Sequence, residues 1–127
     1  MTGPLRWSVV IATLDPAIGH EQAGSRRVLV VSYESFHRSG MLTVCPITSR
    51  LPKYPGEVAI PRGVAGQTVD GTILCHQVRT IDLGRVASVE IGGQVQRLED
   101  TRLRADVRSA LARHLRLDVP ARLDGAA

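Results

Sequence analysis

The sequence predicts a mainly β fold with one helix, a small and strongly bent β-barrel or sandwich closed by that helix at its C-terminal end. Short β-branched runs separated by glycine and proline fill the first two thirds of the chain, and an apolar stripe with helical periodicity lies near its end. The 127 residues leave room for a single domain. We expect residues 1–127 to form one domain, with a core at about 6–117 and a flexible tail at 118–127.

Five strands are expected, each a short apolar run bounded by turn residues. They cover residues 7–14, 27–32, 41–47, 57–60 and 72–81, and weaker strand pieces broken at Gly92-Gly93 follow at 85–98. Asp15-Pro16 ends the first strand, because proline fixes φ and removes a hydrogen-bond donor. A polar loop at 17–26 leads to the second strand, whose faces should both be buried. Pro46, near the end of the third strand, suggests an edge or a bulge.

A helix is expected after Asp100 and Thr101, either of which can cap its first turn. Its apolar stripe consists of Leu103, Val107, Ala110, Leu111, His114 and Leu115. We therefore interpret His114 as a packing residue. The opposite, solvated face carries Arg102, Arg104, Arg108, Arg113 and Arg116.

The charge and the composition of the chain bear on which partners it can bind. Sixteen basic and 12 acidic residues give a net charge of +4, and Lys53 is the only lysine. This charge suits a polyanionic partner, but it is spread along the whole chain and is weak evidence by itself. Aromatic residues make up only 3% of the chain, which disfavours a nucleic-acid binder that relies on rows of stacking rings. If the chain holds RNA, we expect arginine and backbone groups to do so.

Cys45 and Cys75 lie in different segments, without the spacing of metal ligands, and we interpret both as core residues. No zinc site, other metal or cofactor is therefore expected. The N-terminal residues lack a secretion signal, and no apolar run approaches the length of a membrane span. We expect a soluble cytoplasmic protein with reduced thiols.

Polar residues that can carry chemistry lie in one loop and at two strand ends. The loop at 19–27 places a histidine, a carboxylate and two arginines between two apolar strands, a common location for function. Thr48-Ser49-Arg50 follows the third strand, and His76-Gln77 and Arg79 lie within the expected strand at 72–81. These groups converge only if the fold brings the strand ends together.

Three segments carry a resemblance to a known family. They are Leu14-Asp15-Pro16 with Gly19-His20-Glu21-Gln22-Ala23-Gly24-Ser25-Arg26 and the strand after it, Cys45-Pro46-Ile47-Thr48-Ser49-Arg50 with Tyr54-Pro55, and Gln77-Val78-Arg79-Thr80-Ile81-Asp82. In this order they resemble the MazF/PemK (Kid) toxins of toxin–antitoxin modules. The resemblance implies an SH3-like barrel of the CcdB/MazF type and a homodimer. It also implies a metal-independent, sequence-selective endoribonuclease that cleaves single-stranded mRNA. The expected partner is a small acidic antitoxin whose extended C-terminal segment lies in the RNA-binding groove.

The resemblance also implies roles for individual residues. Arg26 matches the catalytic arginine of the family's Gly-x-Arg motif, Thr48 its catalytic threonine, and His20 a histidine used in the Kid branch. Cleavage through the 2′-hydroxyl, which leaves a 2′,3′-cyclic phosphate and a 5′-hydroxyl, needs a base, an acid and fixed positive charge. The predicted RNA contacts are Glu21, Gln22, Arg27, Ser49, Gln77 and Arg79. For Glu21 and Gln22, bracing of the loop is an equal alternative.

The chain departs from the family pattern at Leu74-Cys75-His76, where Kid-like members have Arg-Cys-Asp. Since the acid–base carboxylate is lost, we hypothesise that His76 is the general base, alone or with His20 as the acid. Arg27 also replaces a usual proline. Two other functions stay open: a CcdB-type toxin that acts by binding a protein, and a catalytically weakened relative that only binds RNA or an antitoxin. The Gly-x-Arg motif together with Thr48 favours the ribonuclease.

Overall fold

The computed structural model describes residues 4–117, which form nine strands and one α-helix. The strands are β1 (Ser8–Thr13), β2 (Ser25–Val30), β3 (Met41–Thr48), β4 (Glu57–Ile60), β5 (Gly71–Leu74), β6 (Arg79–Asp82), β7 (Val86–Ser88), β8 (Glu90–Ile91) and β9 (Gln94–Arg97), and the helix α1 is Thr101–His114. Short 3-10 turns lie at Glu34–Ser39, Val64–Gly66, Cys75–Gln77 and Leu83–Arg85. The tail expected at 118–127 lies outside the described residues.

All strands belong to one antiparallel sheet, in which the hydrogen-bonded path runs β4-β5-β3-β2-β1-β9-β8. β6 joins β3 and β7 joins β1 outside this path. Within residues 4–117 no ladder links the end strands β4 and β8, so the sheet is open. The predicted mainly antiparallel β fold with a C-terminal helix is confirmed.

Both faces of the central strands are buried, because successive side chains of a strand point to opposite sides of a sheet. One face includes Val9, Leu29 and Cys45 and packs against Val107 and Ala110 of α1. The other face includes Val10, Val28, Val30, Val44 and Ile81. The expectation that the second strand is buried on both faces is confirmed for Val28, Leu29 and Val30.

The helix begins where the sequence predicts. One carboxylate oxygen of Asp100, Oδ1, accepts hydrogen bonds from the backbone N–H groups of Arg102 at 2.9 Å and Leu103 at 3.1 Å. The interpretation of His114 as a packing residue is wrong. The helix ends at His114, and Leu115 at its C-cap is 52% exposed, so the last part of the stripe does not reach the sheet.

Two strand boundaries and the placement of Pro46 differ from what the sequence predicts. β2 begins at Ser25, so Ser25 and Arg26 lie on a strand and not in the polar loop. The strand expected at 72–81 is two strands, because the turn Cys75–Gln77 separates β5 from β6. Pro46 is neither at an edge nor at a bulge. It lies where β3 changes partner, after its last pair with β6 and before its first with β5, and proline's missing N–H is tolerated there.

Candidate functional site

Arg26 and Thr48 occupy neighbouring positions on β2 and β3. The pairing of these strands ends at Val28 opposite Pro46, and Arg26 and Thr48 each lie two residues beyond this pair. Both residues line a pocket of about 230 Å³. Arg26 Nε donates to the carbonyl oxygen of Ala23 at 3.1 Å, which fixes the guanidinium by one of its three nitrogens. This arrangement suits the binding of a phosphate, since a guanidinium stays charged and can hold two oxygens.

The small pocket contains two further predicted residues. Arg27 and Ser49 lie in its wall, which Gln67 and Val69 from the segment before β5 complete. Three segments distant in sequence thus meet at this pocket.

A second and larger pocket has a volume of about 530 Å³. Glu21, Gln22, His76, Gln77 and Arg79 line it, together with Leu14, Pro16, Pro46 and Val78. Pro46 of β3 lines the larger pocket, and the next residues, Ile47, Thr48 and Ser49, line the smaller one. The four residues predicted to be catalytic are therefore not in one cavity: Arg26 and Thr48 line the smaller pocket and His76 the larger.

Gln77 contacts the loop between β1 and β2 by two hydrogen bonds. Its Oε1 accepts from the N–H of Gln22 at 2.9 Å, and its Nε2 donates to the carbonyl oxygen of His20 at 3.3 Å. Glu21 Oε1 accepts from the N–H of Ile18 at 2.8 Å, so this carboxylate braces its own loop. The His20 residue is exposed, beside but not among the lining residues. Gln77 thus fixes the loop that carries His20, which the sequence did not indicate.

The polar lining of the two pockets also includes Arg79, Arg27 and two glutamine side chains. Arg79 Nη1 donates to the carbonyl oxygen of Leu14 at 3.2 Å. In the part of the chain that is described, Arg27 Nε, Gln22 Oε1 and Gln67 Oε1 are buried without a hydrogen-bond partner. Buried polar atoms are normally paired, so unpaired ones in pocket walls are typical of a site that binds a ligand.

Glu57, at the start of β4, is the site residue that the sequence analysis missed. Its side chain is fully buried, and its Oε2 accepts from Arg50 Nη2 at 2.7 Å and from His76 Nε2 at 2.8 Å. Its Oε1 accepts from Arg50 Nη1 at 3.1 Å and from the backbone N–H groups of Lys53 at 2.7 Å and Tyr54 at 3.3 Å. No local pattern marks this glutamate, because its partners come from the preceding loop and from the turn after β5.

These contacts keep Glu57 ionised. Hydrogen bonds from Arg50 above all, and then from the Lys53 N–H and His76, lower the pKa of Glu57 from 4.5 to about 2, although burial opposes the shift. In return, the carboxylate raises the pKa of Arg50. The site thus contains an ion pair between a buried carboxylate and a partly exposed guanidinium, beside an imidazole.

The two cysteines are core residues, as predicted. Both are fully buried on the face that packs against α1. A hydrogen bond with Cys75 and burial together raise the pKa of the Cys45 thiol. A protonated, buried thiol is inert as a nucleophile.

The described residues hold no group of three histidine, cysteine, aspartate or glutamate side chains placed to bind a metal ion. They also include no helix with the length and hydropathy needed to cross a membrane.

Residues 5–115 match the family model described as PemK-like, MazF-like toxin of type II toxin-antitoxin system. The chain belongs to this toxin family. The endoribonuclease toxin ChpB of Escherichia coli K12 is 38% identical over 90 residues, which are 68% of this chain and 77% of ChpB. Among solved structures, MazF of Deinococcus radiodurans superposes with a TM-score of 0.69 at 30% identity over 88% of this chain and 96% of that one. A MazE–MazF structure from the same organism gives 0.67 at 29% identity, over 91% and 97%.

The MazF/PemK resemblance and the MazF-type fold predicted from the sequence are thereby confirmed. The individual site residues stay predictions. The structure adds that Arg26 and Thr48 are neighbours, that His76 is paired with a buried carboxylate, and that Gln77 braces the loop.

Proposed function

We propose that the chain is the toxin of a type II toxin–antitoxin module and that it is a metal-independent endoribonuclease, which cleaves single-stranded mRNA at preferred sequences. Membership of the PemK-like, MazF-like family and the name of ChpB as an endoribonuclease toxin support this activity. The observation that carries it is that Arg26 and Thr48, from two different strands, line the same polar pocket.

The chemistry we propose uses the RNA's own 2′-hydroxyl. The 2′-oxygen attacks phosphorus as His76 takes its proton, and the bond from phosphorus to the 5′-oxygen breaks as that oxygen takes a proton from His20. The products are a 2′,3′-cyclic phosphate and a 5′-hydroxyl. Arg26 stabilises the charge of the phosphorane, and the Thr48 hydroxyl bonds to a non-bridging oxygen or orients the 2′-hydroxyl.

The two pockets offer separate places for the nucleotides on either side of the cleaved bond. Arg27 and Ser49 are proposed to contact RNA in the small pocket, and Glu21, Gln22, Gln77 and Arg79 in the large one. The unpaired Gln22 Oε1 and Arg27 Nε support this assignment, because a bound nucleotide can satisfy them after a small side-chain shift.

The partners follow from the same proposal. The toxin forms a homodimer and is neutralised by a small acidic antitoxin whose extended segment occupies the RNA groove. Its place of action is the cytoplasm, where mRNA is translated, and the chain acts as one toxin domain without a cofactor.

Purified protein incubated with a long single-stranded RNA in EDTA tests the activity. Mapping of the ends should show cuts at a preferred sequence that leave cyclic phosphates. Arg26→Ala should abolish cleavage, whereas Arg102→Ala, at an exposed position of α1, should leave it unchanged. Absence of cleavage by the wild type, or equal cleavage by Arg26→Ala, would contradict the proposal. The first of these results would favour a toxin that acts by binding alone.

A further inference from the structure

We propose that Glu57 is a positioning residue for His76, which holds the imidazole in the tautomer that can act as the general base. This inference rests on the proposed ribonuclease function and deepens it. It gives a role to a buried carboxylate that matches none of the three segments on which the family resemblance rests.

The hydrogen bond between Glu57 and His76 defines the tautomer. A carboxylate only accepts hydrogen bonds, and the distance from His76 Nε2 to Glu57 Oε2 is 2.8 Å. Nε2 therefore carries the proton in the neutral ring, and the lone pair lies on Nδ1. With Nε2 occupied by Glu57, Nδ1 is the nitrogen that remains to exchange a proton with a ligand in the large pocket, which His76 lines.

Three neighbours restrict the movement of the His76 ring. Glu57 holds it by Nε2, and the ring of Tyr54 lies 6.4 Å away, centroid to centroid. Gly56 has φ of +90°, and a side chain built there would place its Cβ 3.4 Å from His76 Cβ. The ring is 23% exposed, which leaves it reachable by substrate but fixed in orientation.

Glu57 is itself held by more partners than a surface pair would provide. Arg50 binds both of its oxygens, and two backbone N–H groups bind Oε1. The N–H of Arg50 also lies 3.4 Å from Thr48 Oγ1. A chain of hydrogen bonds thus connects Thr48, in the small pocket, with His76 in the large one.

In the reaction, Nδ1 of His76 takes the proton of the 2′-hydroxyl while the 2′-oxygen forms its bond to phosphorus. The bond from phosphorus to the 5′-oxygen breaks, and this oxygen receives the proton of His20. The resulting imidazolium of His76 is stabilised by the Glu57 carboxylate, which stays ionised throughout. The other charged groups facing the large pocket are Glu21 and Arg79.

Glu57→Gln separates this role from a purely structural one. The amide oxygen should stay at the position of Oε1, where Arg50 Nη1, Lys53 and Tyr54 offer donors. The amide NH2 then lies at the position of Oε2, where it faces His76 Nε2 and leaves Arg50 Nη2 without its acceptor. An NH2 group can only donate, so Nε2 must accept and the ring proton must move to Nδ1. Nitrogen-15 NMR of the imidazole above its titration range should show the proton on Nε2 in the wild type and on Nδ1 in the variant.

Cleavage rates provide the second measurement, at a temperature well below the unfolding midpoint of each variant. His76→Ala should lower kcat by about a hundredfold to ten-thousandfold, and Glu57→Gln by at least about tenfold. The double variant should be no slower than His76→Ala, because Glu57 acts only through His76. Glu34→Gln is the matched control, since its carboxylate lies 3.8 Å from Nδ1 of His37, away from both pockets, and it should cleave as the wild type does.

The inference is overturned if Glu57→Gln keeps the wild-type tautomer or rate, or if its effect multiplies with that of His76→Ala. A wild type that cleaves no RNA contradicts the proposed function instead, and the tautomer measurement then still reports whether Glu57 orients His76.

Discussion

Acid should remove the stabilisation that Glu57 gives to the fold. Hydrogen bonds from Arg50, the Lys53 N–H and His76 hold the pKa of Glu57 at about 2 in the folded protein, below its ordinary value of 4.5. A group whose pKa is lowered by folding stabilises the native state above its unfolded pKa. The contribution is therefore complete above about pH 4.5 and is lost as the pH falls toward 2.

The size of this contribution follows from the same two values. At 1.36 kcal/mol per pH unit, the difference between 4.5 and about 2 corresponds to about 3 kcal/mol. Solvent screens part of the ion pair, because 31% of the Arg50 side chain is exposed. We therefore expect about 1 to 2 kcal/mol in the free energy of unfolding.

Urea unfolding of the wild type and Glu57→Gln at a series of pH values measures this contribution. Subtracting the two curves of unfolding free energy against pH cancels the contributions of the carboxylates that both proteins share. The stability advantage of the wild type should shrink by about 1 to 2 kcal/mol between pH 5 and pH 2.5. A difference that stays constant across it would refute the assignment of the low pKa to Glu57.

Three further predictions concern the core, the helix and the loop. Leu29→Ala, at a fully buried position, should lower the free energy of unfolding by about 2 to 5 kcal/mol in urea titration, whereas Leu51→Ala, 70% exposed, should change it by less than about 0.5 kcal/mol. Asp100→Ala should cost about 1 kcal/mol in the same titration, because the first turn of α1 loses the acceptor for two N–H groups. Gln77→Leu should speed hydrogen exchange at the amide of Gln22, which loses its acceptor, and unchanged exchange would show that Gln77 does not hold the loop.

The elements predicted correctly are those that local sequence determines. β4 has the bounds expected, because Pro55-Gly56 and Pro61 bracket a short apolar run. α1 follows its predicted cap, since Asp100 directly precedes the first helical residues. In both cases the residues that define the boundary lie within one turn of the element they delimit.

The wrong strand boundaries arise where pairing between strands that are distant in the sequence determines the structure. Ser25 and Arg26 are polar and read as loop, yet they extend β2 because Thr13 and Ala12 of β1 pair with them. The apolar run at 72–81 reads as one strand, but β3 pairs with its two halves at different places and the chain turns between them. A sequence pattern contains neither of these registers.

The candidate site, too, could be predicted from the sequence only in part. The motif that carries Arg26 and the segment that carries Thr48 are visible in the sequence, but their register as neighbours comes from β2 and β3. The role of His76 could be hypothesised from a departure in the family pattern. Its partner Glu57 could not, because 19 residues separate the two along the chain.

The carboxylate at Glu57 does not simply replace the aspartate that Kid-like toxins have at the position of His76. With a pKa of about 2 and its two oxygens engaged by Arg50, Glu57 holds no proton near neutral pH and is a poor base. It therefore cannot carry protons between the RNA and solvent, and its chemical use is limited to orienting an imidazole and stabilising its charged form. In the proposed mechanism the proton-carrying group and the negative charge, which one aspartate would combine, are thus divided between His76, in the turn after β5, and Glu57, at the start of β4.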